Sequence, residues 1–150
     1  MKYPGSTWVL QERNPGTYTA VKDMPSKKPR GFSILQRAFI AFSPSIEAFR
    51  HMLPVISIDG TFLTGRYKGQ ILTAIGVDGN NQILPLAIAF VECENYDSWL
   101  WFLRHLRVGV VGARPGVCVI HDRHAGMLKA IRKLQEDPEE PFPWRDMRSR

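Results

Sequence analysis

The pattern of apolar and polar positions predicts an antiparallel meander at the centre of this chain. Three segments rich in β-branched and apolar residues read as strands, namely Val55–Asp59, Gln70–Val77 and Gln82–Glu92. The residues Asp78-Gly79-Asn80-Asn81, between the second and third strands, are typical of a hairpin turn. Pro85 in the third strand favours a sheet edge or a bulge.

A helix, a fourth strand and a second helix are expected after the meander. The first helix begins near Asn95 or Asp97 as its cap, and its apolar face has the spacing i, i+3, i+4 and i+7 at Trp99, Phe102, Leu103 and Leu106. Val117–His121 reads as the fourth strand, and Arg123–Glu136 as a helix that buries Met127, Leu128, Ile131 and Leu134. A right-handed crossover would place the fourth strand parallel to the first, in the sheet order 3-2-1-4.

The flanking segments carry weaker patterns. We expect short strands at Thr7–Gln11 and Thr17–Lys22, a strand rather than a helix over Phe32–Phe42, and a short helix from Pro44 to Phe49. The tail from Asp137 contains three prolines and Trp144, so no regular element is expected there. The predicted division is an N-terminal segment (residues 1–50), a core (51–136) and a Pro-rich, basic, truncated tail (137–150).

Composition limits the classes of protein. A hydrophobic content of 44% excludes general disorder. The net charge of +6 favours polyanion partners, nucleic acid first, but it is weak evidence by itself because many soluble domains carry such charge on a solvated face. Cys93 and Cys118 lie in apolar, strand-like runs, which predicts buried, reduced thiols in a reducing compartment. No apolar run approaches the ~18 residues that a membrane span needs, and residues 1–5 lack a signal-peptide core, so a soluble protein is expected.

Two aspartates carry the candidate chemistry. Asp59 ends the first strand of the meander and Asp122 follows the fourth strand, and ligands of open α/β sheets collect at such strand ends. If those strands are parallel neighbours, about 4.8 Å apart, the carboxylates converge and suit Mg²⁺ or Mn²⁺. The alternatives are that Asp59 caps the turn at Gly60, and that Asp122 is an N-cap of the helix that follows it.

Other charged residues near these positions have more ordinary interpretations. Three cations are expected to position phosphates, namely Arg66, Lys68 and Arg123. Glu92 and Glu94 end the third strand and are expected to be solvated, with a supplementary acid as the alternative. His121 and His124 flank Asp122 and are expected to be partly exposed, with a role beside a metal or a phosphate as the alternative.

Taken in order along the chain, several motifs resemble plant Mutator-like element (MULE) transposases. They are Asn14-Pro15-Gly16-Thr17, Val55-Ile56-Ser57-Ile58-Asp59-Gly60-Thr61-Phe62-Leu63, Tyr67-Lys68-Gly69-Gln70-Ile71-Leu72-Thr73-Ala74, Asp78-Gly79-Asn80-Asn81-Gln82, Glu94-Asn95, Ser98-Trp99, Trp101-Phe102-Leu103 and His121-Asp122-Arg123. The resemblance implies an α/β, RNase H-like fold of the DDE transposase and integrase type. Its mixed sheet has antiparallel strands 1–3 and a parallel strand 4.

The resemblance also implies a DDE/D triad that uses two Mg²⁺ or Mn²⁺ ions, with Asp59 as the first acid and Asp122 as the second. The third acid lies on a later helix, so the chain is predicted to be truncated before strand 5 and that helix, and to be inactive by itself. The intact protein is expected to cut and join DNA at transposon ends in the nucleus, with a homo-oligomer as one expectation and no membrane partner.

Two rival functions and one consequence remain. The chain could be a domesticated, non-catalytic nuclear DNA-binding or transcription-regulatory derivative, or a phosphotransferase with Asp59 as the nucleophile. Because strand 4 would have an unpaired edge, we also expect poor solubility.

Overall fold

The computed structural model describes residues 5–25, 33–138 and 145–148. It contains four helices, α1 (Gly5–Arg13), α2 (Ser43–Phe49), α3 (Tyr96–Leu106) and α4 (Ala125–Gln135), with a π-helical turn at Arg107–Val111 directly after α3. Its strands are β1 (Tyr18–Pro25), β2 (Ser33–Ala41), β3 (Val55–Phe62), β4 (Gln70–Val77), β5 (Ile83–Val91), β6 (Cys118–His121) and β7 (Arg145–Arg148).

All seven strands of the described residues belong to one mixed sheet in the order β1-β2-β5-β4-β3-β6-β7. Four pairs of neighbouring strands are antiparallel, namely β1–β2, β2–β5, β5–β4 and β4–β3. The pairs β3–β6 and β6–β7 are parallel. The α/β class is therefore confirmed. The inner order β5-β4-β3-β6 coincides with the order expected for the four core strands.

The strand count differs from the prediction at the C-terminal end. No regular element was expected beyond Asp137, and strand 5 was expected to be missing, but β7 pairs with β6 from Cys118↔Arg145 to His121↔Arg148. The prediction of truncation before a fifth strand was therefore wrong. Short polar segments such as Arg145–Arg148 carry no apolar alternation, so only the neighbouring strand reveals them. Trp144 lies outside the described residues.

The N-terminal predictions had mixed outcomes. Residues 7–11 belong to the helix α1, not to a strand, because Thr7 and Val9 suggest a strand only through weak, context-dependent preference. Backbone and side-chain N–H groups of Asn14 both donate to the Leu10 carbonyl and close the end of that helix. The expected strands β1 and β2 and the helix α2 are confirmed. Since β1 and β2 join the same sheet as the core strands, they extend it on the β5 side, while the proposed division at residue 50 stays a prediction.

Turn and bulge predictions in the meander are confirmed. Asp78 Oδ1 accepts hydrogen bonds from the backbone N–H groups of Asn80 and Gln82, and Asn81 adopts a positive φ of 60°. The β4–β5 register shifts beside Pro85, which is the expected bulge.

The helix α3 supplies the centre of the core. Its four predicted apolar residues are all fully buried, and the Phe102 ring lies 5.6 Å from that of Phe39 on β2. Asn95 caps the helix through a capping box with Ser98, so Asp97 is not its N-cap. In α4, Met127, Ile131 and Leu134 are buried as expected, whereas Leu128 is only half-buried.

Two further predictions concern the burial of the cysteines and the presence of membrane-spanning helices. The prediction of two buried thiols was wrong, because Cys93 is exposed and Cys118 is only half-buried. Cys93 lies beyond the last residue of β5. None of the helices in the described ranges is long and apolar enough to cross a membrane.

Candidate active site

The strands β3 and β6 bring the two predicted acids to neighbouring positions. Asp59 lies within β3, which continues to Phe62, so the prediction that the strand ends at Asp59 was wrong, whereas Asp122 directly follows β6 as expected. The two strands are parallel neighbours and pair as Val55↔Cys118, Ile56↔Val119 and Ser57↔Ile120. Two residues further along this register, Asp59 is level with Asp122. Adjacent strands are separated by about 4.8 Å, so the two backbones approach closely at this point.

The alternation of buried and exposed residues indicates that both acids lie on the same face of the sheet. Along β3 the even-numbered Ile56 and Ile58 are buried, while Ser57 and Asp59 are exposed. Along β6, Val119 and His121 are buried, and Asp122 is exposed. Since residues in register on parallel strands point to the same side, the carboxylates share the less covered face.

Each carboxylate is oriented by a neighbouring backbone amide. Asp59 Oδ1 accepts from Gly60 N at 2.9 Å, and Asp122 Oδ1 accepts from His124 N at 3.0 Å. The helix α4 begins only at Ala125, with His124 in its N-cap position, so the alternative interpretation of Asp122 as an N-cap was wrong. Neither carboxylate has an ion-pair partner within the described ranges.

Glu94 contacts the segment that follows Asp59. A Cβ atom added to Gly60 would lie 2.8 Å from Glu94 Cδ, so this glycine allows the carboxyl group to pack against the strand. Trp99 Nε1 donates to Glu94 Oε1 at 3.1 Å, and Gln70 Nε2 donates to Oε2 at 3.4 Å. The Glu94 backbone N–H in turn donates to Gln70 Oε1.

Glu94 also reaches the segment that follows Asp122. His124 Nδ1 lies 3.7 Å from Glu94 Oε1 and has no hydrogen-bond partner, although it is buried. The Glu94 side chain is only 13% exposed, so the expectation of a solvated carboxylate was wrong. Its burial depends on contacts with Gly60 and Trp99 that only the fold brings together, and the sequence carried no direct sign of them.

Glu92 is neutralised by a cation from β2. Arg37 Nε donates to Glu92 Oε2 at 2.9 Å, and Arg37 Nη2 lies 2.5 Å from Glu92 Oε1. The hydrogen bond from Arg37 lowers the pKa of Glu92, and the same bond raises the pKa of Arg37. Glu92 is therefore an ion-paired residue rather than a free, solvated carboxylate.

The comparisons with known proteins identify the family. The family model for the MULE transposase domain matches residues 55–141, which is more than half of the 150 residues. The chain belongs to the MULE transposase domain family. No curated protein matches it. The matched range begins with β3 and includes both Asp59 and Asp122.

The predicted phosphate contacts of this MULE transposase domain lie in two places. Arg66 and Lys68 are exposed in the loop between β3 and β4, and Arg123 is exposed directly after Asp122. None of the three has an ion-pair partner in the part of the chain that the structure describes. Their charges are therefore available to an anionic ligand.

The histidines beside Asp122 differ from each other. His121 is buried, with 2% exposure, and its Nδ1 lies 2.5 Å from the Asp122 carbonyl oxygen, so its expected partial exposure was wrong. The alternation along β6 explains this burial, because His121 points to the same face as Val119. The His124 side chain is 35% exposed, as expected.

The carboxylate oxygens of this MULE transposase domain are of the type that binds a divalent cation, but the described residues supply too few of them. Asp59 and Asp122 offer hard carboxylate oxygens on one face, which Mg²⁺ and Mn²⁺ prefer, and the family suggests metal dependence in general. However, residues 5–25, 33–138 and 145–148 contain no group of three or more His, Cys, Asp or Glu side chains that could hold a metal ion. A complete site therefore needs a further ligand.

Proposed function

We propose that this MULE transposase domain is part of an RNase H-like, DDE/D-type centre for metal-dependent cleavage and transfer of DNA strands. The observation that carries the proposal is the parallel pairing of β3 with β6, because a continuation of their register by two residues brings Asp59 level with Asp122. The family itself implies a transposase-related function with DNA as partner.

In this proposal Asp59 and Asp122 hold Mg²⁺ or Mn²⁺, and a third acid outside the described residues completes the ligand set. A bound pair of such ions lowers the pKa of an attacking water or hydroxyl and stabilises the leaving oxygen. The backbone amides of Gly60 and His124 hold one oxygen of each carboxylate, which fixes the orientation of the other.

Exposed cations are proposed to position the DNA backbone near these two carboxylates. Arg123 follows Asp122 directly, so it is placed to bind a phosphate close to the reacting one. Arg66 and Lys68 would bind phosphates further along the strand. Phosphate contacts of this kind supply affinity and register without reading sequence.

We expect the 150-residue chain to bind divalent cations weakly and to lack strand-cleavage activity, because its described residues offer two carboxylates and no third ligand. The plant origin, the nuclear location, the transposon ends as target and a homo-oligomer stay predictions. The same shortage of ligands favours a second candidate, a domesticated DNA-binding or regulatory derivative without catalysis.

Calorimetric titration with Mn²⁺ tests the metal site. Asp59→Asn and Asp122→Asn should each weaken binding at least about tenfold, because each removes one of two anionic ligands. Asp97→Asn is the matched control, since Asp97 is an exposed aspartate in the first turn of α3. Unchanged affinity in both variants would rule out the paired-ligand site. Mn²⁺-dependent nicking of a supercoiled plasmid by the 150-residue chain would contradict the expectation of inactivity and exclude the second candidate.

A further inference from the structure

The loop between β3 and β4 presents an aromatic side chain between two cations. This loop, residues 63–69, is closed by a hydrogen bond from Leu63 N to Gly69 O at 3.0 Å. A Cβ atom at Gly69 would lie 2.9 Å from the Val91 carbonyl oxygen, so only glycine allows the loop to pack this closely against β5. The loop tip exposes Arg66, Tyr67 and Lys68, with 82% of Tyr67 open to solvent.

A cavity of about 490 Å³ lies between this loop and the strands β2 and β5. Its walls include three large apolar or aromatic side chains that are themselves exposed, namely Leu35, Tyr67 and Phe90. The volume is within the range of about 300–1,000 Å³ that is typical of small-molecule sites. Large apolar groups gathered around an open cavity indicate a binding site more strongly than scattered ones do.

The charge around the cavity is positive. Arg66 and Lys68 line it and have no ion-pair partner in the described ranges. Glu92 is also in the wall, but it is paired with Arg37. An apolar, aromatic cavity with a cationic rim is complementary to a planar ring that carries phosphate, which is the chemistry of a nucleotide.

The cavity lies at the same edge of the sheet as the carboxylates. The strands β3 and β5 are both antiparallel to β4, so their carboxyl ends point the same way. Phe90 pairs with Ile71, which pairs with Thr61, two residues after Asp59. Two strand spacings of about 4.8 Å separate β5 from β3, so the cavity is on the order of 10 Å to the side of the carboxylates.

We propose that this cavity binds an unpaired base of single-stranded DNA. Tyr67 and Phe90 stack on the base, while Arg66 and Lys68 bind the adjoining phosphates. The inference rests on the proposed function, since it takes DNA as the partner. Bases inside a duplex are already stacked and paired, so an aromatic side chain gains stacking only with a base outside the helix.

Fluorescence anisotropy with the full 150-residue chain tests this site. The probes are a fluorescein-labelled oligothymidylate and a duplex of equal length, both measured in EDTA. Tyr67→Ala should weaken single-strand binding roughly 5- to 100-fold and duplex binding less than about twofold. Tyr67→Phe keeps the ring and should restore single-strand affinity.

Phe42→Ala is the matched control, because Phe42 is 42% exposed and follows the end of β2 that lies at the opposite edge of the sheet. Thermal melting checks that each variant is folded. The proposal is overturned if the wild type does not bind the single strand, if Tyr67→Ala binds it normally, or if both probes lose affinity equally.

This test is independent of the metal site. Because the anisotropy is measured in EDTA, no divalent cation contributes to the binding. A failed Mn²⁺ titration therefore leaves the base-binding result intact, and a failed anisotropy result leaves the metal site intact.

Discussion

Glu94 connects the two segments that carry the candidate metal ligands. It packs against Gly60, the residue after Asp59, and lies 3.7 Å from His124, two residues after Asp122. Its carboxylate also accepts the indole N–H of Trp99, a side chain with no exposure. Glu94 is thus part of the framework that holds the edge of the sheet.

Replacing Glu94 should show this structural role. Glu94→Ala is expected to lower the free energy of unfolding by about 1–3 kcal/mol, because the buried Trp99 N–H loses its acceptor. Glu94→Gln keeps an accepting oxygen and should cost less. Urea denaturation measures both, with Glu47→Ala on the exposed face of α2 as control. If Glu94→Ala is no more costly than Glu47→Ala, Glu94 has no such role.

Gly60→Ala should be coupled to Glu94. Alone it is expected to cost about 1–3 kcal/mol, because the new methyl group overlaps the Glu94 carboxyl carbon. In the Glu94→Ala background the overlap disappears, so the same change should be nearly neutral. Denaturation of the two single variants and the double variant gives the coupling free energy. Additive effects would contradict the close packing of Gly60 on Glu94.

At the residue scale the sequence predicted exposed acids better than buried ones. Asp59 and Asp122 were identified because each follows a short run of apolar residues, and the parallel pairing of β3 with β6 then brings these two runs side by side. The environment of Glu94 depends on Gly60, Gln70 and His124, which are distant along the chain. Burial of this kind follows from tertiary packing, so no local pattern could indicate it.

At the scale of secondary-structure elements, one ion pair links β2 to the end of β5. Arg37 is buried on β2, and Glu92 directly follows β5. The strand pairing between them covers only Ala38↔Phe90 to Ile40↔Ile88. The ion pair therefore extends the contact between the two strands beyond their hydrogen-bonded register.

Low pH should reduce the stabilisation that the ion pair between Arg37 and Glu92 contributes. The pKa of Glu92 in the folded state is lowered from 4.5, mainly by the hydrogen bond from Arg37. Stabilisation by a group with a lowered pKa is present above the unfolded-state value and is lost as the pH falls through the folded-state value. Because Glu92 is 35% exposed, solvent screening limits the effect to about 1 kcal/mol.

The comparison of wild type with Glu92→Gln isolates this pH effect. Unfolding free energies measured at pH 6 and pH 3 should differ more for the wild type, since the variant has no carboxylate to protonate at this position. Asp97→Asn serves as a control for the loss of an exposed acid nearby. Equal acid sensitivity in the wild type and Glu92→Gln would show that the pair does not contribute.

Periodicity predicted the central elements and failed at the two ends. The segments β3 to β5, α3 and α4 each bury a set of apolar residues with regular spacing. The helix α1 and the strand β7 do not: α1 has no strong apolar face, and β7 is the polar sequence Arg-Asp-Met-Arg. The conformations of both segments depend on neighbouring elements. For this reason the sequence predicted a strand where α1 lies and predicted no regular element where β7 lies.

At the scale of the whole molecule, the net charge of +6 favours binding to nucleic acid, and the three cations proposed as phosphate contacts are exposed. Arg66, Lys68 and Arg123 lie at the edge that carries the two acids. Alanine at all three should reduce the salt dependence of duplex binding, with a slope smaller by about 2–3 in a plot of log K against log salt concentration.

Salt-titrated anisotropy measures these slopes. A control variant with alanine at Arg13, Arg132 and Lys133 removes the same charge from exposed positions on α1 and α4. A larger change in the control than in the Arg66, Lys68 and Arg123 variant would place the DNA on another surface.

The strand β7 changes the expectation for solubility. Without it, β6 would be paired only with β3 and would present an unpaired edge on its other side, and exposed edges promote association. A chain that ends at Glu136 lacks β7, so it should form large species at concentrations where the 150-residue chain stays monodisperse. Light scattering coupled to size-exclusion chromatography compares the two. Met147→Pro, which removes one N–H donor from β7, should give an intermediate result. If the shortened chain is equally monodisperse and melts as cooperatively as the full chain, β7 does not protect the sheet edge.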